Sequence, residues 1–130
     1  MDWEPLIAAA WEVRERAYAP YSKFHVGAAL EVDGKVFTGC NVENLSYGLT
    51  NCAERVAVGT AIASGVRTIE RVAVVADTAL PISPCGACRQ VLAEFGDPLV
   101  CLVNRTERLV FRLSELLPRS SAGILDRSDG

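Results

Sequence analysis

Two short, uninterrupted apolar runs restrict most strongly the folds that this chain can adopt. They read VAVVA at positions 72–76 and LVCLV at 99–103, and no polar residue interrupts either one. Runs of this length and composition are typical of strands that are buried on both faces of a sheet. They predict inner strands over Arg71–Ala76 and Leu99–Val103, with helices covering both sides of the sheet.

A β-hairpin is expected before these strands. Val26–Val32 and Lys35–Cys40 are β-prone runs joined by Asp33-Gly34. An Asp-Gly pair favours a tight type I′ turn because both of its positions need positive φ. A further short strand is expected over residues 109–113.

Helical patterns lie between the strands. Pro5 and the apolar residues after it, up to Ala17, predict an amphipathic helix that is stopped by Pro20. Residues 52–63 predict a largely buried helix ended by Ser64-Gly65, and further helical segments are expected at 86–95 and 114–117. This order of elements predicts an α/β fold, a mixed sheet of about five strands sandwiched between helices.

Composition and charge narrow the classes of partner. We expect one domain over residues 1–118 and a mobile tail at 119–130, which is rich in Ser, Gly and charge. A net charge of −3 without a basic stripe argues against a nucleic-acid polymer as partner. No apolar run approaches the roughly 20 residues of a membrane span. The acidic start has no signal-peptide pattern, so we expect a cytoplasmic protein.

Three of the cysteines are grouped with a glutamate in a pattern that suits a catalytic metal. PCGAC at 84–88 holds a Cys-x-x-Cys pair, and CAE at 52–54 adds a third thiol and a carboxylate. A catalytic zinc takes three protein ligands and leaves a fourth position for water. Cys52, Cys85 and Cys88 are therefore the expected ligands of one Zn²⁺ per chain. Glu54 is the expected group that takes and returns a proton of the attacking water.

Other residues near this pattern receive narrower roles. Three thiolates leave a zinc site with net negative charge, and Arg55 and Arg89 are expected to offset it by hydrogen bonding to sulfur. Cys40 and Cys101 lie in apolar strands without ligand spacing, so we expect them in the core. His25, the one histidine, is expected to be a hydrogen-bonded structural residue rather than a ligand.

The sequence resembles the small, homotetrameric type of cytidine deaminase. The signature of the zinc deaminases has a three-cysteine variant, and CAE at 52–54 with PCGAC at 84–88 matches that variant. Similar segments are YSKFHVGAA at 21–29, GCNVEN at 39–44 and CRQ at 88–90, so the resemblance covers residues 5–118. It implies a cytidine deaminase-like α/β fold and a homotetramer.

The resemblance also implies an activity and a set of substrate contacts. The activity is zinc-dependent hydrolytic deamination of cytidine and deoxycytidine to uridine and deoxyuridine, with release of ammonia, in pyrimidine salvage. Asn41 and Glu43 correspond to the pair that hydrogen-bonds the ribose hydroxyl groups, and Phe24 to an aromatic residue that lines the nucleoside pocket. The backbone around Ala53 and Ser83 corresponds to the part that holds the base edge.

One departure from the family and three alternatives stay open. Family members often carry a phenylalanine shortly after the ELLP segment that reaches the nucleoside of a neighbouring subunit, whereas no aromatic residue follows Phe111 here. The substrate could then be another cytosine nucleoside, such as blasticidin S. A thiol oxidoreductase using Cys85 and Cys88 would leave Cys52 and Glu54 unexplained. A non-catalytic zinc module would need a fourth ligand, for which the sequence offers no convincing candidate.

Overall fold

A five-stranded mixed sheet forms the centre of the computed structural model, which describes residues 2–120. Its strands lie in the order β2-β1-β3-β4-β5. Their bounds are Val26–Val32 for β1, Lys35–Cys40 for β2, Arg71–Ala76 for β3, Leu99–Val103 for β4 and Arg108–Arg112 for β5. β3 and β4 pair in parallel, and the other neighbouring strands pair antiparallel.

Helices cover both faces of this sheet, as the apolar strands require. Within residues 2–120 the α-helices are α1 Glu4–Arg14, α2 Ala53–Ala63, α3 Gly86–Ala93 and α4 Leu113–Leu116, and a short 3-10 helix lies at Tyr47–Leu49. α1 packs on one face, against Ala73 and Cys101, while α2 and α3 pack on the other, against Val74 and Val100. The predicted α/β sandwich is therefore confirmed. No helix within residues 2–120 is long and apolar enough to cross a membrane.

The tight turn of the hairpin is confirmed, and other boundaries differ from the prediction. Asp33 has φ 50° and Gly34 has φ 76°, as a type I′ turn requires. α3 ends at Ala93, shortly before Gly96 with φ 127°, and β5 and α4 each begin one residue earlier than expected. Of the predicted mobile tail, residues 121–130 lie outside the described part of the chain.

The expected extent of the first helix is wrong. α1 ends at Arg14 and does not continue through Ala17 towards Pro20. The Tyr18 N–H instead donates to the Asn41 carbonyl oxygen at 2.9 Å, and Tyr18 forms a parallel bridge with Val42. The chain after α1 thus runs beside the segment that follows β2, and this pairing positions the residues discussed below.

Strand direction brings the segments with the predicted chemistry to one edge of the sheet. β2 and β3 are both antiparallel to β1, so they end at the edge where β1 begins, with Val26 opposite Ala76 and Gly27 opposite Cys40. The segments that follow β2 and β3 lead into α2 and α3. The N-termini of both helices therefore return to this edge, where open α/β sheets commonly bind ligands.

Candidate active site at a three-cysteine centre

Three sulfur atoms meet where the two helices begin. Cys52 is the N-cap of α2, Cys85 is the N-cap of α3, and Cys88 lies in the first turn of α3. Their Sγ atoms all lie within 4.8 Å of one another, with Cys52 and Cys85 separated by 3.7 Å and Cys85 and Cys88 by 3.4 Å. Tetrahedral zinc with Zn–S bonds of about 2.3 Å places two sulfur ligands about 3.8 Å apart. The separations of 3.7 Å and 3.4 Å are close to this value, so the three thiols could hold zinc.

The group is a three-ligand set. No other His, Cys, Asp or Glu within residues 2–120 belongs to it. Structural zinc sites are almost always closed by four protein ligands, whereas catalytic sites keep one position for water or substrate. The number of thiols within the described residues matches the number of protein ligands of a catalytic zinc site.

The local electrostatics favour a thiolate in this group. The pKa of Cys52 is lowered to about 5, because hydrogen bonds from the Cys88 thiol and from the Arg55 guanidinium stabilise its charged form. The pKa of Cys88 is raised, because its proton is held in the bond to Cys52 and because it is buried. A coordinated metal ion deprotonates thiols outright. The set can therefore exchange its retained protons for a cation.

Arg55 is placed as expected beside the sulfur atoms. Its Nη2 donates to the Cys52 Sγ at 3.6 Å and to the Thr50 carbonyl oxygen at 3.2 Å. The guanidinium charge thus lies directly against one of the three thiols. This position allows Arg55 to offset negative charge on a metal–thiolate group.

Arg89 makes different contacts from those expected. Its three nitrogen atoms donate to the Pro84 carbonyl oxygen at 2.8 Å, the Leu116 carbonyl oxygen at 2.7 Å and the Ser83 Oγ at 2.8 Å. The carbonyl groups at the end of α4 lack helical partners, and the guanidinium satisfies one of them. These bonds link the segment before Cys85 to the end of α4, and none of them reaches a sulfur atom.

Glu54 is a buried carboxyl group in the first turn of α2. It is 4% exposed, and burial raises its pKa to about 7, with a smaller contribution from the negative charge of Cys52. A carboxyl group with a pKa near neutrality can both accept and donate a proton during a reaction. Glu54 also lines a cavity shared with Cys52 and Cys85.

α2 is held close to the sheet at this point. A Cβ atom on Gly39 of β2 would lie 2.3 Å from the Ala57 nitrogen and 2.6 Å from the Ala53 carbonyl oxygen. Only a residue without a side chain permits this approach. The position of Glu54 is therefore set by direct contact between the backbones of α2 and β2.

The cavity beside the cysteines gathers the other predicted site residues. It has a volume of about 270 Å³, near the lower end of the range for small-molecule sites. Its walls include the five predicted substrate contacts: Phe24, Asn41, Glu43, Ala53 and Ser83. The sequence-based expectation that these residues share one site is thus matched by their positions.

Three further residues of this cavity were missed. Val26, Thr50 and Ile82 also line it. Each lies within two residues of a predicted site residue along the chain, and that proximity is the one signal that could have identified them. Val26 and Ile82 give the cavity apolar surface, which suits a flat aromatic ring.

A larger cavity of about 520 Å³ lies between α1 and the β4–β5 turn. Arg105 stacks there over the ring of Trp11 at 3.9 Å, and Arg108 pairs with Glu4. It contains none of the cysteines and none of the predicted site residues. The smaller cavity is therefore the candidate active site.

Asn41 and Glu43 use part of their hydrogen-bonding capacity within the protein. The Asn41 Nδ2 donates to the Phe24 carbonyl oxygen at 2.7 Å, and its Oδ1 accepts from the Val26 N–H at 2.9 Å. The Glu43 carboxylate accepts from the N–H and hydroxyl of Ser22 and from a neighbouring N–H. The hydroxyl of Ser22 is the main reason that the pKa of Glu43 is lowered, so Glu43 is ionised at neutral pH.

The residues expected to have structural roles lie away from the sulfur group. Cys101 is fully buried beneath α1, and Cys40 is half-buried at the end of β2; burial raises the pKa of both thiols. The carbonyl oxygen of the half-buried His25 accepts a hydrogen bond from Arg14 at 3.1 Å. None of the three belongs to the metal-binding group.

Comparison with known proteins gives matches over most of the chain. The family model for the cytidine and deoxycytidylate deaminase zinc-binding region matches residues 2–104. A cytidine deaminase of Sporosarcina psychrophila is 60% identical over 107 residues, covering 80% of this chain and 79% of the relative. One from Halalkalibacterium halodurans is 53% identical over 122 residues, covering 91% and 92%. The crystal structure of a cytidine deaminase from Burkholderia pseudomallei superposes with a TM-score of 0.88 at 54% identity, covering 92% of this chain and 98% of that one.

Proposed function

This chain belongs to the cytidine and deoxycytidylate deaminase family, and from that premise we propose how its candidate active site performs the reaction. The activity is hydrolytic deamination of cytidine. The observation that carries the assignment to this site is the cavity that Cys52, Cys85 and Glu54 line together. We extend the substrates to deoxycytidine, with uridine and deoxyuridine as products, and place the reaction in pyrimidine salvage.

The three cysteines and Glu54 have different tasks in the proposed reaction. Cys52, Cys85 and Cys88 would hold zinc, which would supply the Lewis acid that makes water a nucleophile near neutral pH. Glu54 takes a proton from the attacking water and delivers it to N3 of the pyrimidine as C4 is attacked. Glu54 then takes the proton of the new C4 hydroxyl group and gives it to the amine, and the C4–N bond breaks as the C4 carbonyl forms, so that cytidine and water give uridine and ammonia.

The remaining cavity residues recognise the nucleoside. Asn41 and Glu43 hydrogen-bond the ribose hydroxyl groups, and Phe24 packs against the nucleoside. The backbone around Ala53 and Ser83 holds the base edge. Support for this assignment comes from the presence of all five in one cavity with Glu54 and from the match to the family motifs.

We also propose that the enzyme is a homotetramer. The segment after β2 exposes three large apolar side chains, Leu45 at 79%, Tyr47 at 78% and Leu49 at 66%. Clustered apolar exposure of this kind supports burial against another subunit. Light scattering on the wild type should give four chains per particle, and Leu45→Ser with Leu49→Ser should give smaller particles. A wild-type monomer would contradict the proposal.

A cytoplasmic location is proposed from the thiol chemistry. All five cysteines of the sequence are free. Reducing compartments keep thiols in this state, whereas secreted proteins form disulfides. The three cysteines of the metal group need to stay reduced in order to bind zinc.

The decisive experiment follows the ultraviolet conversion of cytidine to uridine and measures zinc per chain on the same purified sample. We expect turnover with about one zinc per chain. Zinc without turnover on cytidine or deoxycytidine would move the substrate to another cytosine nucleoside, such as blasticidin S. Disulfide exchange without zinc would instead favour a thiol oxidoreductase and contradict the proposal.

A further inference from the structure

The hydroxyl of Ser22 joins two residues of the nucleoside cavity. The Ser22 Oγ donates to the Glu43 Oε2, and the Ser22 Oγ also accepts a hydrogen bond from the Phe24 N–H at 3.0 Å. Phe24 is held on its other side, because its carbonyl oxygen accepts from the Asn41 Nδ2 at 2.7 Å. We call Ser22, Phe24, Asn41 and Glu43 the Ser22 network. Ser22 is the one member of it that does not line the cavity.

Hydrogen bonds within the protein occupy most of the acceptor sites of the Glu43 carboxylate. Its Oε1 accepts from the Tyr21 N–H at 3.0 Å and the Ser22 N–H at 3.1 Å. Its Oε2 accepts the Ser22 hydroxyl. A carboxylate has about four lone-pair sites, so these three bonds leave one site, on Oε2. The two backbone N–H groups therefore occupy Oε1, and the Ser22 hydroxyl leaves a ligand hydroxyl group one site on Oε2.

Hydrogen bonds hold the turn carrying Ser22 in an uncommon backbone conformation. Lys23 has φ 63°, in the left-handed region that a residue with a side chain rarely adopts. Its N–H donates to the Ala19 carbonyl oxygen at 3.0 Å, and its Nζ donates to the Pro20 carbonyl oxygen at 2.9 Å. Such strain persists only where the surroundings over-determine it. The bonds to Glu43 are among the contacts that do so.

We propose that Ser22 is a positioning residue for the sugar of the nucleoside, acting through Glu43 and not by touching the substrate. The inference rests on the proposed role of Glu43 in binding ribose hydroxyl groups. Ser22 is exposed and belongs to neither the three-cysteine group nor α2. Its loss should therefore weaken binding of the sugar and leave the proton-transfer step intact.

The expected signature of this role is a change in KM with little change in kcat. Ser22→Ala removes a hydrogen bond to a charged group and should raise the KM for cytidine about tenfold, with kcat changed less than about twofold. Ser22→Thr keeps a hydroxyl and should restore the wild-type KM. Ser22→Val has nearly the shape of threonine without the hydroxyl, and should behave like Ser22→Ala.

A competitor without the 2′- and 3′-hydroxyl groups of ribose separates positioning from general loosening of the turn. The inhibition constant of 2′,3′-dideoxycytidine, measured in competition with cytidine, should change less than about twofold in Ser22→Ala. This competitor has no 2′- or 3′-hydroxyl group to bond to Glu43, so the position of Glu43 should not affect its binding. Ser114→Ala is the matched control. Ser114 makes the same pair of bonds to a carboxylate, from its N–H at 2.8 Å and its hydroxyl at 2.9 Å to Asp97, away from the cavity.

Each outcome of this experiment decides the inference. Equal weakening of cytidine and dideoxycytidine in Ser22→Ala would overturn it, as would equal KM values for the Thr and Val variants. Failure of Ser22→Ala and Ser22→Val to fold would assign the hydroxyl to stability and also overturn it. The wild-type enzyme tests the proposed function separately. If the wild type does not turn over cytidine, both proposals fail. If the wild type turns over cytidine and the Ser22 variants have the same KM, only the role of Ser22 is rejected.

Discussion

The Sγ atoms of Cys52 and Cys85 lie 3.7 Å apart although 33 positions separate the two residues along the chain. Each residue is the N-cap of a helix, and the strands before these helices run in the same direction. The three-cysteine group is therefore assembled by topology, and its third member, Cys88, lies in the first turn of α3. Four predictions test the consequences of this arrangement.

Removing a cysteine of the group should remove the metal. Cys88→Ala leaves two thiols, and two ligands do not retain zinc at a site that needs three. We expect zinc, measured by elemental analysis, to fall far below one per chain, together with loss of turnover. Cys101→Ala is the matched control, since Cys101 is equally buried but lies under α1. It should keep zinc and turnover and lower the free energy of unfolding by about 1 kcal/mol. Equal zinc content in the two variants would contradict the assignment.

Glu54→Gln should separate binding from turnover. The amide keeps the size of the side chain but cannot transfer the proton, so kcat should fall by a factor of about 10² to 10⁴. Zinc content and melting temperature should stay close to those of the wild type. Glu12→Gln removes an exposed glutamate on α1 and should leave kcat unchanged. Near-normal turnover in Glu54→Gln would remove the proposed proton-transfer role.

Gly39→Ala should damage both stability and activity. The new methyl group would meet backbone atoms of Ala53 and Ala57 at 2.6 Å and 2.3 Å, and α2 would have to move away from β2. We expect a loss of at least about 1–3 kcal/mol in the free energy of unfolding, the usual range for overpacking. The value of kcat should fall as well, because Glu54 moves with α2.

Gly59→Ala provides the comparison within the same helix. Nothing lies within 4 Å of its added Cβ, and alanine favours a helix over glycine by about 0.8–1.0 kcal/mol. Urea unfolding should therefore show a gain in stability for Gly59→Ala and a loss for Gly39→Ala. A similar effect of both substitutions would mean that the contact between α2 and β2 is not tight.

The ionisation of Glu43 should depend on Ser22. The pKa of Glu43 lies below its ordinary value of 4.5, chiefly because the Ser22 hydroxyl donates to its carboxylate. The unfolded chain then binds more protons than the folded chain, so this group contributes stability above about pH 4.5 that is lost as the pH falls through the lower, folded pKa. A carboxyl NMR titration should place the pKa of Glu43 below 4.5 in the wild type and closer to 4.5 in Ser22→Ala. Identical titration curves would rule out the coupling.

Local chemistry explains what the sequence could predict. The turn at Asp33-Gly34 and the end of α2 at Ser64-Gly65 depend on residues within a few positions, and both were predicted correctly. The apolar runs at 72–76 and 99–103 also predicted their strands correctly. The meeting of Cys52, Cys85 and Cys88 was predictable because their spacing in the chain matches a known pattern of metal ligands.

Long-range hydrogen bonds explain what the sequence did not predict. α1 ends early because the Tyr18 N–H finds a partner in Asn41, far along the chain. Arg89 bonds the carbonyl oxygen of Leu116, which is 27 positions away, and so does not reach sulfur. No local pattern encodes either partner, because the folded topology brings it into reach. The same holds for Ser22 and Glu43, which are 21 positions apart.

The close contact at Gly39 gives the two sides of the cavity different thermal behaviour. The side with Glu54 is fixed by backbones in direct contact, so it can open only together with the core. The side with Ser22 is fixed by hydrogen bonds at the surface, and such segments open locally at a lower free-energy cost than global unfolding. On warming, the affinity of the enzyme for the sugar should therefore fall while its catalytic centre is still intact. The upper temperature limit of the reaction would then be set by substrate capture and not by denaturation.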